Sequence, residues 1–124
     1  APEKLDYALK LFPLFTKPEV AAVGLTEREC AEQGMGVAGA KYPFADHGKS
    51  MVRGETDGFV KLIAEKSSGK LVGGACIGPE ASELIHEIVV ALRFGATARQ
   101  LATTPHYHPT LSEIWTYPAE ELAG

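Results

Sequence analysis

The chain has 124 residues, 45% of them apolar, with 16 acidic and 12 basic side chains and a formal net charge of −4. That length supports one domain burying roughly two-thirds of the surface its unfolded chain would expose. Its apolar runs are too short for a transmembrane span and no secretory signal pattern is present, so the cytoplasm is the default compartment. The acidic balance, without a Lys/Arg cluster, argues against nucleic acid as a partner.

Taken in chain order, residues 1–12 mix charges with a few apolar positions ahead of Pro13, and read as a connecting arm from an upstream domain; residues 13–124 form the domain proper. From Leu14 to Leu25, Phe15, Thr16, Val20 and Val23 predict extended chain, which Pro18 restricts to an edge or a bulge. Thr26-Glu27-Arg28-Glu29 is a capping box opening a short helix, and Gly34 ends it because glycine turns left-handed without a Cβ penalty. Val37 to Phe44 is a strand, followed by a polar loop from Ala45 to Asp57 carrying His47, Lys49 and Arg53. Phe59–Glu65 and Leu71–Ile77 form an antiparallel hairpin whose turn takes its positive φ from Gly69. Gly73 and Gly74 in mid-strand mark the close approach of another backbone.

Pro79 and Glu80 open the longest helix, which stops at Gly95 and carries Leu84, Ile85, Ile88, Val89 and Leu92 at helical spacing. On the opposite face Glu83, His86 and Glu87 are polar, but Val90 and Phe94 continue it as apolar residues. The C-terminal half of this helix therefore wants two partners, either the domain's own loops or another subunit. Thr97-Ala98-Arg99-Gln100 caps a further short helix, and Thr110-Leu111-Ser112-Glu113 caps the last. Strands followed by helices, with a hairpin at the centre, predict an α+β domain: an antiparallel β-sheet with helices packed on one face.

Three motifs bear on chemistry. Gly34-Met35-Gly36-Val37-Ala38-Gly39 matches the dinucleotide fingerprint by letter, with Asp57 near the offset of a ribose-binding acid, but it follows a helix instead of opening one and Pro43 forbids the helix that should come next. It is a glycine-rich turn. His106, His108 and Glu113, with His47 as a distant fourth group, contain metal-ligand types but no established ligand spacing, and Cys30 and Cys76 read as buried hydrophobes; no metal is assigned. Most informative is His106-Tyr107-His108-Pro109-Thr110-Leu111-Ser112-Glu113. Helical side chains lean toward the N-terminus, so a first-turn carboxylate at Glu113 points back toward His108, and such a pair fixes the imidazole tautomer and leaves one ring nitrogen free as acid or base. The same spacing also suits a capping box in which Glu113 reaches only a backbone N–H.

The segment His106 to Glu113 closely resembles the C-terminal H-x-H-P-T-L-S-E signature of dihydrolipoamide dehydrogenase, one of the flavin-dependent pyridine nucleotide-disulfide oxidoreductases that also include the glutathione and mercuric reductases. The resemblance extends through Phe15 to Glu27, Thr56 to Leu62, Leu71 to Ala75 and Ile77 to Ile85, in the right order. It implies the family's C-terminal dimerisation domain, which follows FAD and NAD(P) domains in a homodimer. It further implies that His108 is the acid–base group acting at the partner's flavin and redox disulfide, that Glu113 holds it, and that the backbone around His106 and Tyr107 approaches the partner's flavin.

FAD and NAD(P) would then belong to the parent enzyme, with none bound by this chain alone. A mercuric reductase usually has tyrosine for this histidine and a terminal cysteine pair, and glutathione reductase tends to have serine at Leu111; this chain has none of these. Pro118 is a departure expected to break or kink the last helix. Besides a mercuric or glutathione reductase-like relative, the alternative is a free-standing interaction module without catalysis, binding through Val90 and Phe94.

Overall fold

The structure is a computed structural model that describes residues 11–14 and 18–124. Strands β1 (Leu11–Leu14), β2 (Val20–Gly24), β3 (Val37–Pro43), β4 (Phe59–Glu65) and β5 (Leu71–Ile77) form one antiparallel sheet in the order β1-β2-β5-β4-β3. The helices are α1 (Glu27–Glu32), α2 (Gly48–Arg53), α3 (Ala81–Arg93), α4 (Ala98–Thr103) and α5 (Thr116–Ala123), with 3₁₀ turns at Phe44–Asp46 and Ser112–Trp115. This is the expected α+β class. Leu11 and Phe12, read from sequence as the end of the arm, pair with Val23 and Ala22, so the sheet begins earlier than expected. The rest of the arm, and Phe15 to Lys17 of the expected extended segment, lie outside the described residues.

The register explains which face is buried. Ala21, Cys76 and Val60 lie in one row across β2, β5 and β4, and Val23, Gly74 and Leu62 in another, so their side chains share a face. That face is the core: α3 packs on β2 and β5, and α5 on β3 and β4. Glycine is required twice in β5. A Cβ on Gly74 would stand 2.8 Å from Ile88 Cγ2 of α3, and one on Gly73 would stand 2.0 Å from the carbonyl oxygen of Leu25. The second is the close backbone approach anticipated from sequence. Helix α1 adds a detail to the one-sided packing: its Glu27 pairs with Lys61 and abuts Gly39, residues in rows of the opposite face, so the larger helices share one face and α1 covers part of the other.

Capping boxes open α1 and α4 as predicted, with Thr26 accepting from the Glu29 N–H and Thr97 from the Gln100 N–H at 3.1 Å. Helix α3 has an unusual start, Glu80 in the left-handed region at φ 60°, and Gly95 at φ 66° follows its end. Two expectations need correction. The stretch Ala45–Asp57 is not simply a loop: it contains the 3₁₀ turn and α2, which Gly54 closes at φ 71°. And Pro118 does not break the last helix. It is the third residue of α5, in the first turn, where a missing N–H costs little.

Candidate functional site

The loop from Thr104 to Leu111 leaves α4 and makes two histidine–carboxylate contacts, His106 with Glu87 and His108 with Glu113. His106 is turned inward: its Nδ1 lies 2.8 Å from the Thr104 carbonyl oxygen, its Nε2 2.6 Å from Glu87 Oε2 on α3. With both ring nitrogens engaged and the side chain largely buried, His106 anchors the loop to α3, which leaves its backbone as the part it can offer to a ligand. Glu87, which sequence placed merely on a polar helix face, is the residue that holds it. Tyr107 projects outward, 90% exposed, while its carbonyl accepts a 2.6 Å hydrogen bond from the Thr110 hydroxyl. The His108–Pro109 peptide is cis.

His108 and Glu113 meet. His108 Nδ1 is 2.9 Å from Glu113 Oε2 and 3.1 Å from Oε1, so Nδ1 carries the hydrogen and donates it to the carboxylate. The capping geometry is half present: the Glu113 N–H donates to Thr110 Oγ1 at 3.4 Å, but the carboxylate faces the imidazole. Both interactions weighed from sequence thus use the same residue, one through its backbone and the other through its side chain. Exposure within the pair is unequal, 82% for the His108 side chain against 13% for Glu113. The enclosed carboxylate is fixed in place, and the imidazole it holds extends into solvent with Nε2 outward.

A third group joins the pair in another role than the distant metal-ligand type considered from sequence. His47, assigned from sequence to a loop, is fully buried at the start of α2, its Nε2 3.7 Å from Glu113 Oε1 and its Nδ1 3.0 Å from Ser50 Oγ. The ring of Tyr117 lies edge-on to it at 6.2 Å and stacks on Tyr42 at 4.2 Å. Burial pushes the His47 imidazole below its ordinary pKa, against the pull of the Glu113 charge. No sequence signal distinguishes it, since its contact with Glu113 exists only in the folded chain.

The described residues contain no group of three or more His, Cys, Asp or Glu placed to hold a metal ion. Cys30 and Cys76 are buried free thiols, and burial pushes Cys76 up to about 12, where a thiolate nucleophile is not available at neutral pH. A cleft of about 930 Å³ lined by Glu19, Arg53, Asp57 and Glu80 includes none of the residues of the His108 loop. Among the described residues, no helix is long and apolar enough to cross a membrane.

The chain as a whole has relatives among known proteins. Residues 13–119 match the family described as pyridine nucleotide-disulphide oxidoreductase, dimerisation domain. The chain is 43% identical over 123 residues to the dihydrolipoyl dehydrogenase of Halobacterium salinarum and 42% identical to that of Bacillus subtilis; each match takes in 99% of this chain and 26% of the relative. The chain thus spans about a quarter of the length of the curated relatives it matches. Among solved structures, LpdA from Mycobacterium tuberculosis superposes with a TM-score of 0.89 at 30% identity, over 97% of this chain and 26% of that one. The HOCl-induced flavoprotein disulfide reductase RclA from Escherichia coli shares the fold, with a TM-score of 0.84 at 22% identity over 90% of this chain and 26% of that one. The chain belongs to the dimerisation-domain family of the pyridine nucleotide-disulphide oxidoreductases.

Proposed function

We propose that this chain is the interface domain of a dihydrolipoyl dehydrogenase-like enzyme, a cytoplasmic homodimer whose FAD and NAD(P) domains precede it and join it through the residues ahead of β1. Bound FAD would supply the two-electron step between a dithiol and a nicotinamide. The contribution of this chain is proton transfer. As a dithiol is oxidised, the outward Nε2 of His108 takes up a thiol proton, and in the reverse direction it returns one. Glu113 holds Nδ1–H, so the Nε2 lone pair faces the reactants, and the carboxylate offsets the charge that the ring acquires on protonation.

The observation that carries this reading is the inequality within the pair: a carboxylate 13% exposed holding an imidazole 82% exposed. A purely internal pair would enclose both the ring and the carboxylate; here the working end is presented beyond the chain's own surface, where a partner subunit would supply the thiols. Val90 on α3 and Phe94 just past its end, 48% and 80% exposed, provide an apolar surface suited to that partner. The loop also fits a flavin's approach through backbone groups, because the His106 ring is already engaged and Tyr107 stands exposed. With neither a phosphate-cradling loop nor an adjacent cysteine pair in its sequence, the isolated chain is expected to bind no flavin and reduce no disulfide.

The test is His108→Gln in the full-length parent. Glutamine keeps hydrogen-bonding capacity but exchanges no proton near neutral pH, so turnover of NADH with lipoamide should fall by roughly two to four powers of ten at unchanged flavin content. Near-normal turnover would end the acid–base reading.

A further inference from the structure

We infer that His47 is a positioning residue for Glu113: an uncharged, buried imidazole, oriented by Ser50, that directs an N–H at the carboxylate oxygen and keeps the carboxylate aimed at His108. The inference rests on the acid–base role proposed for His108 and adds a third member to the pair.

Geometry assigns the tautomer. His47 and Ser50 are both fully buried, and the Ser50 hydroxyl lies 3.0 Å from Nδ1. Among the described residues Nε2 has no hydrogen-bond partner, and a Glu113 oxygen stands 3.7 Å away. Were Nε2 the unprotonated nitrogen, its lone pair would face the lone pairs of an anion in a dry site, with the ring hydrogen spent on a hydroxyl able to donate instead. With the hydrogen on Nε2, Ser50 O–H donates to Nδ1 and Nε2–H points its positive end at Glu113. At this separation the contact is charge–dipole attraction and not a full hydrogen bond.

Charge gives the arrangement its consequence. Glu113 lies between two imidazoles, and an imidazolium at His47 would compete with His108 for the same negative charge. The groups facing His47 are Glu113, His108 and the edge of the Tyr117 ring. Of these, the Glu113 charge favours a protonated His47, but burial opposes it and dominates. Burial therefore decides which imidazole takes the proton: the enclosed ring stays neutral and the exposed ring of His108 has the carboxylate's full charge. The fold makes this possible through α2, which carries Ser50 and has His47 as its N-cap residue.

The experiment uses the full-length flavin-loaded dimer and measures turnover, its pH profile and melting temperature for His47→Leu, His47→Gln and Ser50→Ala, each alone and with Glu113→Gln. Removing a dipole directed at a charged group is expected to slow His47→Leu about tenfold and to alter its pH–rate profile. His47→Gln, which retains an amide N–H donor, should recover most of that loss, and Ser50→Ala, which leaves Nδ1 without its donor, should lose turnover several-fold and lower the melting temperature. With Glu113→Gln already present, His47→Leu should cost no further turnover, because there is no charge left to position. Wild-type turnover and pH profile in His47→Leu or Ser50→Ala, or an undiminished effect in the Glu113→Gln background, would overturn the inference. Should His47→Leu fail to fold, His47→Gln and Ser50→Ala decide it by the same criteria. If Glu113→Gln and His108→Gln themselves turn over normally, the acid–base reading fails and the positioning role falls with it.

Discussion

Replacing Trp115 with phenylalanine probes the joint on which the site depends. Trp115 follows Glu113 by two residues, is completely buried, and donates its indole N–H to the Leu84 carbonyl on α3 at 3.0 Å. Phenylalanine keeps one ring of the two and loses the donor. The lost hydrogen bond is worth about 1 kcal/mol net, and the volume left unfilled a further 1–2 kcal/mol or so. Leu84 lies inside α3, where its carbonyl retains the helical partner, so no full desolvation penalty is added. The sum is a loss of about 2–3 kcal/mol, which for a small domain lowers the urea midpoint by about 1–2 M. Urea unfolding followed by circular dichroism measures this, and the slope should not change, since the same surface is exposed on unfolding. A loss under about 0.5 kcal/mol, the range of neutral surface substitutions, would refute the assigned role of the indole.

Gly73→Ala should cost about 3 kcal/mol because its Cβ would stand 2.0 Å from a backbone oxygen that no side-chain rotation can move, whereas Gly36→Ala, with open space around it, should be nearly silent; thermal melts of the two variants compare them directly. His47 makes stability depend on pH: its folded pKa lies below the ordinary value of 6.5, so the unfolded chain takes up the proton first. Its contribution is whole above pH 6.5 and is lost as pH falls from there toward the depressed folded value, at no more than about 1.4 kcal/mol per pH unit, so the melting temperature should decline over that window and His47→Leu should flatten the decline. Phe94→Glu places a charge on the exposed apolar end of α3 and should weaken self-association in a sedimentation concentration series without lowering the melting temperature of the monomer; an unchanged dimer would remove Phe94 from the interface.

What was legible in the sequence is what local rules control. The hairpin of β4 and β5 follows from β-rich runs around a glycine turn, the capping boxes of α1 and α4 from fixed three-residue spacing, and the contact of Glu113 with His108 from the lean of helical side chains. Helix α2 was not legible: its six residues begin with glycine, and His47 at its N-cap makes no side-chain cap, so neither apolar period nor capping residue announces it. The same segment carries His47, which the sequence offered only as a distant metal-ligand type, since its packing against Tyr117 and its approach to Glu113 arise only in the folded chain. His106 was visible as part of the motif, but its bond to Glu87 joins positions 19 residues apart, so the anchoring of its ring to α3 had no local signal. Pro118 was misjudged because the start of α5 was placed too early; a proline is harmful in a helix interior and tolerated in a first turn.

The central claim, that His108 serves the site of the other subunit, is tested most directly by hybrid dimers of the full-length parent. One subunit carries His108→Gln with its upstream redox cysteines intact; the other keeps His108 and has one of those cysteines changed to serine. If His108 acts across the interface, one complete site is assembled from the cysteines of the first subunit and the imidazole of the second, and the hybrid should show about half the wild-type turnover. If the hybrid is as inactive as either parental homodimer, His108 acts within its own subunit or not at all, and the claim is contradicted.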